Sequence, residues 1–231
     1  MSKLKKFFHY LIHDRDKIKV FLLHKFSYFY SDEQFLRKLY RLRIGEELNL
    51  ENPQTFCEKL QWLKLYNRKP EYTQMVDKYA VKEYVADIIG EEYIIPTLGV
   101  WDRVEDIDWD SLPNQFVLKC THDSGGLVIC KDKSTLDIKN AVRKLKKSMK
   151  RNYFYGNREW PYKNVPRRII AEQYMEIRGQ KDLPDYKFFC FNGDPKVVYV
   201  GKDKADDPRT DFFDMNFQHL PIRMRDPNAE E

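Results

Sequence analysis

The stretch Gln115-Phe-Val-Leu-Lys119-Cys-Thr-His-Asp-Ser124-Gly125-Gly126-Leu-Val-Ile-Cys-Lys131 constrains this chain most, because it reads as strand, glycine turn, strand. Phe116, Leu118 and Cys120 alternate onto one face, Val117 and Lys119 onto the other, and Leu127 to Cys130 forms a second apolar run. With the Phe116/Leu118 face on a core, Lys119 projects from the opposite face as a fixed cation, the geometry a phosphate oxygen requires. Ser124, Gly125 and Gly126 supply a turn whose backbone N–H groups can close over an anion without Cβ obstruction. An ordinary hairpin with a solvated lysine is the competing reading of the same residues.

Composition bounds what can surround this hairpin. The 231 residues allow one elaborate domain or two small ones, and 42% hydrophobic residues support folding despite 33% charged residues and a mean hydropathy of −0.71. The net charge of +5 suits an anionic ligand such as a nucleotide and is too small to argue for nucleic acid. Cys57, Cys120, Cys130 and Cys190 form no CxxC pair, and three of them lie in strand-like runs, so buried reduced thiols of a cytoplasmic protein are expected. No apolar run approaches a membrane span. Leu4, Phe7, Phe8, Leu11 and Ile12 follow helical spacing beside lysines, and Ile18 to Tyr30 is apolar. Residues 4–30 therefore read as a packing helix or as a basic amphipathic anchor at the inner membrane face.

Along the chain, Ser31 or Asp32 caps a helix to Arg43, and Thr55 caps another whose stripe is Phe56, Leu60, Leu63 and Leu65. Met75 to Ile89 reads as one amphipathic helix stopped by Gly90. Tyr93 to Val100 is extended, and Trp101 to Pro113 is an acidic loop containing Asp106-Ile107-Asp108, the Asp-x-Asp spacing with which a nucleotide-sugar glycosyltransferase would hold a metal. Leu136 to Arg151 is a basic helix with a solvated face, followed by an aromatic run around Tyr153. That run, Trp62 and Trp160 are candidates for stacking on a sugar and equally for a core. A strand from Arg168 to Glu172 precedes two more, Asp185 to Phe191 and Lys196 to Val200, joined by the hairpin signal Asn192-Gly193-Asp194-Pro195. The layout is α+β: a helical region over 1–70, a central subdomain over 71–165 carrying the hairpin, and a partial C-terminal subdomain over 166–231.

The succession Asp77-Lys78, Phe116-Val-Leu-Lys119 with its Ser-Gly-Gly turn, Ile169-Ile-Ala-Glu172-Gln-Tyr-Met and Asp185-Tyr-Lys-Phe-Phe resembles the ATP-grasp fold. More narrowly, Asn52-Pro-Gln-Thr-Phe-Cys-Glu-Lys-Leu-Gln-Trp-Leu, Val76-Asp-Lys-Tyr-Ala-Val-Lys and Lys119-Cys-Thr-His-Asp-Ser-Gly-Gly126 resemble its TupA-like branch, over roughly Asn49 to Asn216. That branch is associated with bacterial cell-surface polysaccharide and teichuronopeptide synthesis, and its members are often labelled glycosyltransferases. The resemblance implies a nucleotide cleft built from antiparallel hairpins, with ATP and Mg2+ as cofactors. Lys78 and Lys119 would hold the phosphates, and Ser124, Gly125 and Gly126 would close over them. Glu172, Gln173, Tyr174 and Met175 would form the adenine hinge, with Asp185 on the ribose and Lys187 facing the cleft. The implied reaction activates a carboxylate on a sugar or glycan acceptor as an acyl phosphate, which an amine then attacks. The acidic metal segment expected beyond the second hairpin is lacking, which leaves Asp211 and Asp214 as metal candidates. A diverged, non-catalytic nucleotide-binding or scaffold protein is the further alternative.

Overall fold

The computed structural model describes residues 15–180, 183–202, 206–224 and 226–229, so the helix expected over Leu4 to Ile12 lies outside the described residues. The described chain forms two compact units that divide between Tyr174 and Met175.

In the first unit, helices α1 (Arg15–Lys25), α2 (Asp32–Ile44) and α3 (Phe56–Tyr66) precede the shorter α4 (Glu71–Val76) and α5 (Ala80–Ile89). Local chemistry sets their ends. Ser31 accepts from Gln34 N while Gln34 returns a bond to Ser31 N, and Gly45 closes α2 at φ 87°. Thr55 and Glu58 form the same reciprocal box at the start of α3. Leu23, Phe35, Leu36, Leu39 and Tyr40 pack with Leu48 and Leu50 into a helical core. Of the expected stripe of α3, Leu65 packs half-buried against this core, whereas Phe56, Leu60 and Leu63 are exposed; Glu58 is the residue α3 buries, because its carboxylate serves the cap.

The single helix expected over Met75–Ile89 is two. The chain breaks at Asp77–Tyr79 because tertiary partners take the groups that a helix would use. Arg168 Nη2 donates to Asp77 Oδ2 at 2.6 Å, Tyr79 N donates to Asp77 Oδ1, and Lys78 N donates to Thr121 O at 3.2 Å.

Strands β1 (Thr97–Trp101), β2 (Phe116–Cys120), β3 (Leu127–Cys130) and β4 (Ile169–Gln173) form an antiparallel sheet in the order β1-β4-β2-β3. Phe116, Leu118, Cys120, Val128, Cys130, Ile169 and Ala171 point into one core, covered by Ala141 and Leu145 of helix α6 (Ile138–Met149). The register puts Val117 opposite Glu172 and Lys119 opposite Ile170 on the other face. After α6 the short helix α7 (Phe154–Asn157) ends at Arg158, whose guanidinium is buried under the N-terminal helices.

The second unit is an antiparallel meander, β5 (Asp185–Phe191), β6 (Asp194–Lys202) and β7 (Arg209–Phe213), in that order. Asn192 and Gly193 turn the first hairpin with φ of 52° and 82°, the left-handed pair that an Asn-Gly turn favours. The α+β layout is as the sequence pattern indicates. The cysteines differ in part: Cys120 and Cys130 are buried, whereas Cys57 and Cys190 are exposed, Cys190 because β5 is an edge strand whose apolar side chains are open.

Candidate functional site

The loop between β2 and β3 is braced on all sides except its tip. Cys120 N donates to Gly126 O at 2.8 Å, Gly126 N to Asp123 Oδ1 at 3.0 Å, and Thr121 N to Arg168 O at 2.9 Å. Thr121 Oγ1 donates to Pro166 O, Ser148 Oγ to Asp123 Oδ2, and His122 Nε2 meets Ser148 O. Thr121, His122 and Asp123 are buried, which leaves Ser124 and Gly125 as the exposed tip. The two glycines differ in kind. A Cβ on Gly126 would lie 2.7 Å from Ser148 Oγ and equally tight against Cys120, so this glycine is needed for packing. A Cβ on Gly125 would find its nearest neighbour at 3.5 Å, so that position has room. Burial also pushes the Cys120 thiol up to about 11, with Asp123 adding to the effect, so it is a packing group rather than a nucleophile.

Lys78 reaches this loop from the break between α4 and α5. Its ammonium donates to the carbonyl oxygen of Asp123, just before the exposed tip. Burial draws its pKa below the ordinary lysine value; Asp123 opposes the shift and the Lys119 charge adds to it. The two ammonium groups are therefore electrostatic neighbours, as a polyphosphate site requires.

Lys119 is held from the sheet. Its ammonium pairs with Glu172 Oε2, and Lys82 Nζ pairs with Glu172 Oε1 at 2.7 Å while donating to Ile95 O at 2.5 Å. Burial raises the Glu172 pKa, but the hydrogen bonds and charges of Lys119 and Lys82 outweigh it, so the carboxyl sits below the usual glutamate range. Two lysines against one carboxylate leave a net positive charge on this face. Glu172 thus anchors cations, a role distinct from the adenine contact that the sequence resemblance implies for its backbone.

Beyond Glu172, Gln173 N donates to Pro96 O at 3.0 Å and is already engaged. Tyr174 lies with Lys131 Nζ 5.9 Å from its ring centroid, and Met175 is exposed. In the second unit, Asp185 pairs across from Gly201 and Lys187 across from Tyr199, with Lys187 Nζ 4.7 Å from that ring.

The acidic candidates for a metal are occupied by hydrogen bonds. Asp211 accepts from His219 Nε2 at 3.0 Å and from Ala229 N, while Asp214 Oδ1 accepts from Asn216 N and Gln218 N, both at 2.8 Å. These carboxylates brace turns in the second unit and do not fit a magnesium site as they stand. Asp108 Oδ1 likewise accepts from Asp110 N and Ser111 N, the pattern of a surface turn. Among the described residues, no group of three His, Cys, Asp or Glu side chains could hold a metal ion.

Lys82, Asp77, Asp123 and Arg168 were not identifiable as parts of this arrangement from spacing. Their partners lie 45 or more residues away in sequence (Lys82–Glu172, Lys78–Asp123, Arg168–Asp77), so no local pattern marks them.

A family model described as TupA-like ATPgrasp matches residues 58–231. No curated protein and no solved structure matches the chain.

Proposed function

Because the chain belongs to the TupA-like ATP-grasp family, we propose that it is an ATP-dependent carboxylate–amine ligase-like protein of bacterial cell-surface polysaccharide synthesis. ATP-grasp families bind ATP with Mg2+. The observation that carries the reading is the approach of Lys78 to the loop that carries the exposed Ser124–Gly125 tip, with Lys119 as its neighbouring charge and each cation held by a dedicated acceptor. A pair of partnered cations near an exposed Ser124–Gly125 backbone suits the β- and γ-phosphates of a nucleotide.

In this scheme an acceptor carboxylate oxygen attacks the γ-phosphorus, the bond to the β,γ-bridging oxygen breaks, and ADP leaves. An amine then attacks the acyl carbon, inorganic phosphate departs, and the amine loses its proton as the amide forms. Lys78 and Lys119 would neutralise charge on the phosphates, and Glu172 would position Lys119 through their ion pair. Magnesium bound to the nucleotide would add to that neutralisation. Gln173, Tyr174 and Met175 are proposed for the adenine, and Asp185 and Lys187 for the ribose side.

Peripheral contact with an anionic membrane is proposed for the exposed Phe21, Leu22, Phe26 and Phe29 beside Lys25. No described helix is long and apolar enough to cross a membrane.

Positional isotope exchange tests the chemistry. ATP labelled with 18O at the β,γ-bridge should scramble when a carboxylate-bearing saccharide is present and no amine is added, and should not with Lys119→Ala. Sugar transfer from a UDP-sugar with no ATP consumption would replace this reading by the glycosyltransferase one. Tight ATP binding without scrambling would leave a nucleotide-binding scaffold.

A further inference from the structure

A cavity of about 520 Å³ opens beside the same turn, between Ser124 and Gly125, the residues after α6, and the segment that follows α1. Its size falls within the range of small-ligand sites, well beyond what a single phosphate fills.

Two cations line it. Lys150 and Arg151 follow the last turn of α6, and neither side chain forms an ion pair among the described residues. Arg151 Nη1 lies 3.5 Å from the point that a Cβ on Gly125 would occupy, so its guanidinium rests against the exposed tip of the turn. Tyrosines line the same cavity. Tyr28 and Tyr155 lie with ring centroids 3.9 Å apart and planes 32° from parallel. Tyr153 leans on Tyr162 at 4.8 Å.

The wall is held in place rather than loosely apposed. Buried Arg158 donates to Ser27 O at 2.5 Å and to Tyr30 O at 3.3 Å, which fixes the backbone on both sides of Tyr28. Asn152 donates to Lys163 O and accepts from Phe154 N, which fixes the floor.

Unpaired cations and tyrosine faces in one cavity suit a ligand with an anionic group on a ring whose faces carry C–H bonds and whose edges carry hydroxyls. A guanidinium binds a carboxylate through two parallel N–H bonds, and the aromatic faces accept the ring. An apolar ligand would strand Lys150 and Arg151, and a free phosphate would leave the aromatic wall bare. We propose that this cavity binds an acidic saccharide through its carboxylate on Arg151 and Lys150, with the sugar ring against Tyr28 and Tyr155. That it is thereby the acceptor site rests on the ligase reading above: the cavity and the phosphate turn share Ser124 and Gly125, so a carboxylate on Arg151 adjoins the nucleotide phosphates.

The test is calorimetric titration of the full chain with a glucuronate-containing disaccharide and with its uncharged glucose counterpart, at matched ionic strength. ATP is titrated separately on the same samples. The acidic sugar should bind at least tenfold tighter than the neutral one. Arg151→Ala and Tyr28→Ala should each lower its affinity at least tenfold, with unchanged melting temperatures showing that both variants fold. Lys150→Ala, a change at an exposed side chain, should weaken the acidic sugar and leave the neutral one unaffected. Equal binding of both sugars overturns the inference, as does an Arg151→Ala variant that loses ATP affinity and keeps the sugar. If the acidic sugar binds through Arg151 and ATP does not bind, the site stands and the nucleotide reading falls. If ATP binds and the sugar does not, this inference falls alone.

Discussion

Replacing Arg158 with Met should destabilise the protein far more than loss of one surface charge would. The Arg158 side chain is 1% exposed; Nε pairs with Asp32 Oδ1 at 3.0 Å, and Nη2 serves the carbonyls of Ser27 and Tyr30. The guanidinium carbon also stacks 4.3 Å from the Phe35 ring centroid. Burial pulls its pKa down and the Asp32 charge opposes that shift, so the group depends on its partners to remain buried and charged. Methionine keeps much of the volume and removes every donor. Breaking a buried pair costs roughly 3–5 kcal/mol. The low end applies here, because Asp32 keeps Arg68 at 2.8 Å and is partly open to water. About 3 kcal/mol corresponds to a fall in melting temperature of about 6–12 °C for a chain of this length. Thermal unfolding followed by circular dichroism reads this directly, and Asp32→Asn in the Arg158→Met background should cost less than Asp32→Asn alone. A fall below about 2 °C, or strict additivity of the two changes, would refute the reasoning.

Two further predictions concern the site. Gly126→Ala should lower the melting temperature and Gly125→Ala should leave it within error, because only the first Cβ collides with Ser148 and Cys120; similar losses from both would contradict the packing assignment. Glu172 has a folded pKa below its unfolded value of about 4.5. Its contribution to stability is therefore complete above the unfolded value and disappears as pH falls through the folded one. Urea titrations of wild type and Glu172→Gln should diverge most at neutral pH and converge as pH falls through the lowered folded pKa, and a constant gap would show that the carboxylate charge is not what matters.

How much of this was legible in the sequence follows the range of the interactions. Ser31, Thr55 with Glu58, and Asn192-Gly193 announce their helix starts and hairpin because their chemistry closes within a few residues. The β2 alternation likewise placed Lys119 opposite the core. The break at Asp77–Tyr79 was illegible, since an amphipathic pattern runs through it and the groups that open it, Arg168 and Thr121, are far along the chain. The place of β4 between β1 and β2 is also a long-range pairing with no local mark. Strand β7 was hidden because its two phenylalanines sit between aspartates that read as turn residues, whereas Asp211 is buried by hydrogen bonds from His219 and Ala229. At the candidate site the sequence offered the lysines and the glycine turn. It did not show that Glu172 and the Asp123 carbonyl hold those lysines.

The most direct test of the central claim is calorimetric titration of ATP, in EDTA to isolate the side chains from metal, on wild type and Lys119→Ala of equal thermal stability. A charge-assisted hydrogen bond to phosphate contributes roughly 1.5–3 kcal/mol, so the variant should bind ATP about 10- to 150-fold more weakly than wild type. Undiminished ATP affinity in Lys119→Ala would contradict the account that the cations around the Ser124–Gly125 turn hold the nucleotide phosphates.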